Sequence, residues 1–144
     1  AAGSGPTPRL GSLHMGTAGF SCAHWADHFY PRAARSSTDM MLDCYQEKLT
    51  AVEMNSTFYG TPTSSTVRNW RAHSAKGFGM VWKVVKAVTH EGRMDSEAAL
   101  AALEHFLGRA AELGKDHLAA LLFQCPRTLR VDVPQLQAVH RAIQ

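Results

Sequence analysis

Apolar residues recur along this chain with two periods. Met41, Leu42, Tyr45 and Leu49 fall three and four apart, which predicts a helix over about 39–48 with one buried stripe. Val67 and Trp70 mark the inward side of a helix over about 65–73, and Leu100, Leu103, Phe106, Leu107, Ala110 and Leu113 mark a longer one over 97–113. Between these stripes lie short, almost continuous apolar runs at 51–54, 78–85 and 118–124. Runs of that length and composition suit strands covered on both faces. Leu13-His14-Met15 is a weaker strand candidate, closed by the glycine turn Gly16-Thr17-Ala18-Gly19. Such a turn after a strand lets backbone approach an anion, but it lacks dinucleotide-fingerprint spacing. A last helix follows Asp132, with Leu136, Val139 and Ile143 inward.

Turn and cap residues punctuate this pattern where it predicts boundaries. Ser36-Ser37-Thr38, Thr63 or Ser64, Asp95 or Ser96, and Asp132 are N-cap candidates. Lys76-Gly77, Gly114 and Cys125-Pro126 are stops, and Pro134 fits a first helical turn. Two stretches carry no period: an aromatic loop over 20–31, and a polar loop over 86–94 that holds Thr89, His90 and Glu91. The order is strand–helix four times over, typical of βα units whose strands pair in parallel with right-handed crossovers. An open doubly wound sheet and half of a (β/α) barrel both accommodate four units, since a complete barrel takes about 250 residues.

Composition narrows the class. The chain has 144 residues, 45% hydrophobic and 19% charged, ordinary for one globular domain with a core. It has no apolar run of about 18 residues, the length that would cross a membrane. A net charge of +3 from scattered basic residues gives no nucleic-acid footprint by itself. Cys22, Cys44 and Cys125, without CxxC spacing, read as reduced thiols in a cytosolic compartment. Residues 1–12 are rich in Ala, Gly, Ser and Pro and read as a disordered tail. The start without Met and the end at the fourth helix suggest a piece of something longer.

Candidate chemistry centres on Val52-Glu53-Met54-Asn55-Ser56-Thr57-Phe58-Tyr59, where a strand becomes a polar and aromatic turn. Strand geometry places Glu53 and Asn55 on one side, at the strand's C-terminal end. Lys83 interrupts the apolar run 78–85 and should find a carboxylate or line a wet cavity, because an unpaired buried ammonium is costly. His24 and His28 are four apart in the aromatic loop and read as surface histidines. Cys125 reads as a small buried thiol rather than a nucleophile.

Several motifs occur in order: Gly16-Thr17-Ala18-Gly19-Phe20, Trp25, Phe29-Tyr30-Pro31, the block around Glu53, Phe78, Lys83, Thr89-His90 and Phe123-Gln124-Cys125-Pro126. Together they resemble the YecE-like family, domain of unknown function family 72, over 13–144. Phe20, Cys22 and Cys125 depart from the residues common there. The resemblance implies a TIM-barrel-like (β/α) fold of which this chain holds about half, and no established reaction. In such a barrel the C-terminal strand ends share one mouth. Glu53, Lys83 and His90 are then candidate catalytic residues, as base or metal ligand, anion partner and proton carrier. Thr17, Trp25, Asn55, Tyr59 and Gln124 are candidate ligand contacts, with Trp25, Phe58 and Tyr59 as flat surfaces for a ring. The competing structural reading is a Glu53–Lys83 pair that fixes barrel register while Asn55 caps the turn.

The expectation is therefore a cytoplasmic barrel protein that binds a polar, sugar- or phosphate-like ligand at the strand ends. Hydrolase or isomerase chemistry in the intact form is compatible with this. The alternatives are a nucleic-acid-processing protein of endonuclease-like barrel shape and an inactive truncated half barrel. No metal or nucleotide motif is present, the cofactor is open, and a divalent metal is compatible. Bare strand edges predict self-association.

Overall fold

A computed structural model describes residues 13–144; the tail expected at 1–12 lies outside the described residues. Four strands, β1 (Gly16–Ala18), β2 (Ala51–Met54), β3 (Gly79–Lys83) and β4 (Leu118–Leu122), form one parallel sheet in sequence order. Helices α1 (Ala23–Phe29) and α2 (Thr38–Gln46), with a 3-10 turn at Arg32–Ser36 between them, connect β1 to β2. Helices α3 (Ser56–Tyr59) and α4 (Ser64–Ala72) connect β2 to β3. Helices α5 (Lys86–Thr89) and α6 (Glu97–Leu113) connect β3 to β4, and α7 (Val133–Ile143) follows β4. This α/β arrangement is part of a βα barrel.

The predicted caps hold the helices where the sequence places them. Ser37, Thr63, Ser96 and Asp132 each accept a backbone N–H three residues on. Gly114 ends α6 with φ +84°.

The sheet buries one face. Register aligns Thr17 with Val52 and Met80, and Met54 with Trp82, toward the helices. Val52, Met54, Met80 and Trp82 are buried there against Leu42, Tyr45, Val67, Leu103 and Phe106. The opposite face carries Ala18, Glu53, Val81 and Ala120 in one row, with Gly16, Ala51 and Gly79 below and Lys83 and Leu122 above. Among the described residues no helix lies over that face, and Ala18, Ala119 and Ala120 are exposed.

Tyr45 was legible as an inward residue but not as a polar one. Its ring is fully buried, and its hydroxyl accepts from Thr17 N–H at 2.8 Å and donates to the Ala51 carbonyl at 3.0 Å. It therefore clamps β1 to β2. Tyr45→Phe is expected to lower stability by about 1–3 kcal/mol, because it leaves buried polar groups unpaired. Urea unfolding of the variant measures this, and an unchanged midpoint would rule the clamp out.

Several sequence expectations are corrected. The first strand is Gly16–Ala18 rather than 13–15, so the glycine turn is itself the strand, and Gly19 turns the chain after it. The stretch 20–31 is not a loop: Ala23–Phe29 is helical and packs through Trp25 and Phe29 on Tyr30 and Tyr45. Aromatic burial decides that element where no apolar period announces it. Residues Lys86–Thr89 form a short helix inside the expected polar loop. On α7 only Val139 of the three expected inward residues is buried; Leu136 and Ile143 are 55% and 46% exposed, while Gln135 is buried. Gln135 accepts from Met94 N–H and donates to the Arg130 carbonyl, which satisfies its amide in the core.

Candidate functional site

The C-terminal ends of β2 and β3 are tied together by a residue that the sequence reading left without a role. Thr57, buried in the first turn of α3, places its hydroxyl 2.6 Å from the Met54 carbonyl and 2.7 Å from the Lys83 carbonyl. The tie sets Phe58 beside the end of β3. Lys83 Nζ lies 4.2 Å from the Phe58 ring centroid, a cation–π contact. The His90 ring meets Phe58 edge-on at 4.9 Å, and Tyr59 meets it at 5.2 Å. Thr89 Oγ1 is 2.7 Å from His90 Nδ1, so the buried Thr89 holds one nitrogen of the exposed His90. Three elements thus gather Lys83, His90, Phe58 and Tyr59 at one end of the sheet. Tyr59 is 74% exposed.

Glu53 and Lys83 point from the same face of the sheet, because Glu53 aligns with Val81, and Lys83 lies two residues further along the strand. Both are half-buried. They do not form an ion pair: among the described residues no carboxylate lies within 4 Å of Lys83, and no cation within that distance of Glu53. Of the two settings expected for Lys83, a carboxylate partner or a wet cavity, the first is not found among the described residues, and the half-buried ammonium sits on Phe58. Glu53 lines a hollow of about 230 Å³ with Gly16, Ala18, Ala51 and Val81. A groove of about 820 Å³ between α6 and α7, where Leu100, Ala101, Ala138 and Ala142 are joined by Asp95, Glu97, Glu104 and Arg141, lies apart from these groups.

The remaining candidates are not all brought together. Thr17 also lines the Glu53 hollow, but its hydroxyl is engaged by Tyr45 and the Gly19 carbonyl on the helix side of β1. Trp25 stacks on Tyr30 at 5.7 Å and meets Phe29 at 4.8 Å, so its ring surface is used in packing. Asn55 takes helical φ −70° and ψ −23°, which ends the strand alternation before it reaches Asn55, and its side chain makes no cap bond. Gln124 is exposed just past β4. His24 and His28 do lie on a helix, four apart, yet no group of three or more His, Cys, Asp or Glu is placed to hold a metal among the described residues. All three cysteines are free. Burial raises the Cys125 thiol pKa, and its Sγ lies 4.0 Å from Met94 Sδ, an environment that disfavours thiolate.

Comparison with known proteins places the fold. The family model described as "Protein of unknown function DUF72" matches residues 14–144. Two crystal structures of a DUF72 family protein from Enterococcus faecalis V583 are similar. One has TM-score 0.67 and 25% identity over 89% of this chain and 45% of its own. The other has TM-score 0.60 and 26% identity over 90% of this chain and 47% of its own. The chain spans about half the length of the solved structures it matches. Among curated proteins nothing matches. No helix of the described residues is long and apolar enough to cross a membrane.

Proposed function

We propose, for a chain that belongs to the DUF72 family of proteins of unknown function, that the rim formed by Lys83, Phe58 and His90 binds a small polar ligand of sugar-phosphate type. The observation that carries this reading is the Lys83 ammonium, held over the Phe58 ring at 4.2 Å without a carboxylate partner. A cation supported from below by a π face, and partly open above, is arranged for an incoming anion. Tyr59 adds an exposed aromatic surface suited to the face of a sugar ring. Glu53, below on the same face, is placed to accept hydrogen bonds from ligand hydroxyls. The same groups suit hydrolase or isomerase chemistry, with Glu53 taking a proton and His90 Nε2 carrying one.

The test is thermal-shift and calorimetric titration with a panel of phosphorylated and plain sugars. At least one phosphorylated sugar should raise the melting temperature. Lys83→Met should weaken that binding about tenfold or more, since a hydrogen bond to a charged group is worth roughly 1.5–3 kcal/mol. The half-buried position of Lys83 means that the fold should survive the change. No response to any panel member, or binding unaffected by Lys83→Met, rejects the reading. Salt-dependent binding of labelled DNA in the same assay would replace it with the nucleic-acid alternative.

A further inference from the structure

Thr89 and His90 are neighbours in sequence with opposite surroundings. Thr89 is fully buried, whereas His90 is exposed. The Thr89 hydroxyl stands 2.7 Å from His90 Nδ1, and among the described residues no other hydrogen-bond partner reaches that hydroxyl. A buried O–H left without an acceptor costs about 1–3 kcal/mol. The hydroxyl therefore donates, and Nδ1 offers its lone pair. A neutral imidazole carries one ring proton, so that proton sits on Nε2. The ring is held from a second side as well. It meets Phe58 edge-on, with centroids 4.9 Å apart and planes at 80°. The His90 backbone N–H is bound to the Lys86 carbonyl at 2.7 Å, which fixes the residue at the end of α5.

We infer that Thr89 is a positioning residue: it sets His90 as a neutral imidazole whose Nε2–H is a hydrogen-bond donor, so that His90 and Lys83 form a two-donor receptor for one oxyanion of the ligand. Both donors rest on the same Phe58 ring, with Lys83 Nζ 4.2 Å from its centroid. His90 Nε2 makes no hydrogen bond among the described residues, and Lys83 has no carboxylate partner there. The charges on either side of His90 in sequence satisfy each other, since Lys86 pairs with Glu91 at 3.2 Å. A phosphate or carboxylate oxygen accepts from both donors, whereas a ligand group that must itself donate finds no acceptor in the pair. With Nε2 already protonated, His90 has no free lone pair, and a proton lost by the ligand goes to the Glu53 carboxylate. The receptor rests on the rim proposed above; the Thr89–His90 tautomer does not, because the ligand-free protein displays it.

Long-range proton–nitrogen NMR of the chain labelled with 15N-histidine tests both parts, at about pH 8.5, above the ordinary histidine range. His90→Gln identifies the signal among the eight histidines. The ligand-free protein should show a single His90 form, with Nδ1 unprotonated and Nε2 protonated. Thr89→Val should admit the Nδ1–H form, and Thr89→Ser should restore the single form, which a purely packing role for Thr89 would not do. Inorganic phosphate is then titrated. It should shift the His90 Nε2 signal, bind about tenfold or more weakly to Lys83→Met, and bind about threefold or more weakly to Thr89→Val but not to Thr89→Ser. A protonated Nδ1, or a tautomer unchanged in Thr89→Val, overturns the inference even where phosphate binds and Lys83→Met weakens it, and the rim reading then stands alone. Phosphate that leaves His90 unmoved while the tautomer is as expected overturns the receptor together with the rim reading.

Discussion

Truncating Trp82 to alanine is expected to lower the unfolding free energy by about 4 kcal/mol. For a domain whose total stability is about 5–15 kcal/mol, this removes a large share and brings the chain near unfolding at growth temperature. Trp82 is fully buried, one residue before the end of β3. Its ring meets Trp70 of α4 at 5.6 Å and Phe106 of α6 at 5.7 Å, both nearly perpendicular. It is therefore the side chain on which two helices are seated against one strand, and its loss opens a cavity that neither helix can close without leaving the sheet. Among the described residues the buried indole N–H has no hydrogen-bond partner. Trp82→Phe keeps the aromatic contacts and drops an unpaired donor, so it should cost only about 1 kcal/mol. Guanidinium unfolding of the two variants separates these effects. Equal losses would mean that the second indole ring, which phenylalanine lacks, seats the two helices.

Gly16→Ala is expected to cost about 3 kcal/mol or more, for a reason of opposite kind. A Cβ at Gly16 would stand 1.9 Å from the Ala51 carbonyl oxygen and 2.5 Å from its carbon. Both are backbone atoms of the neighbouring strand, so no rotamer relieves the clash. The strands must separate, and the Tyr45 hydroxyl that joins Thr17 to Ala51 loses its geometry. Gly108→Ala supplies the contrast. It lies in α6 with nothing within 4 Å of an added Cβ, and the change should stabilise by about 0.5–1 kcal/mol through helix propensity. Thermal unfolding should move in opposite directions for the two variants. A Gly16→Ala chain as stable as the parent would show that β1 does not pair with β2 at this distance.

The candidate site was legible to the extent that strand parity holds. Lys83 and Glu53 follow from alternation within and across regular strands, and the structure keeps both on the uncovered face. Asn55 does not follow, because the chain turns helical one residue after Met54, and the side-to-side alternation stops with the strand. The Thr17 hydroxyl turns away from that face for a related reason. Moving the first strand from 13–15 to Gly16–Ala18 places Thr17 inside a regular strand, where register sends it to the helix side with Val52. Thr57 and Thr89 carry no sequence signal of their own. Their hydroxyls matter through carbonyl and imidazole partners that tertiary packing supplies.

The amino-acid pattern by itself determined the alternation of α2, β2, α4, β3, α6, β4 and α7, the limits of β2 and α6, and the neighbourhood of four helix caps. Burial repeats every two residues in a strand and every 3.6 in a helix, and a cap needs only neighbours in sequence. Tertiary structure alone decided that a glycine turn becomes β1, that an aromatic stretch becomes α1, and that Lys83 rests on Phe58 instead of pairing with Glu53. Each of those outcomes depends on which distant atoms share a few ångströms of space, and a linear pattern holds no record of that proximity.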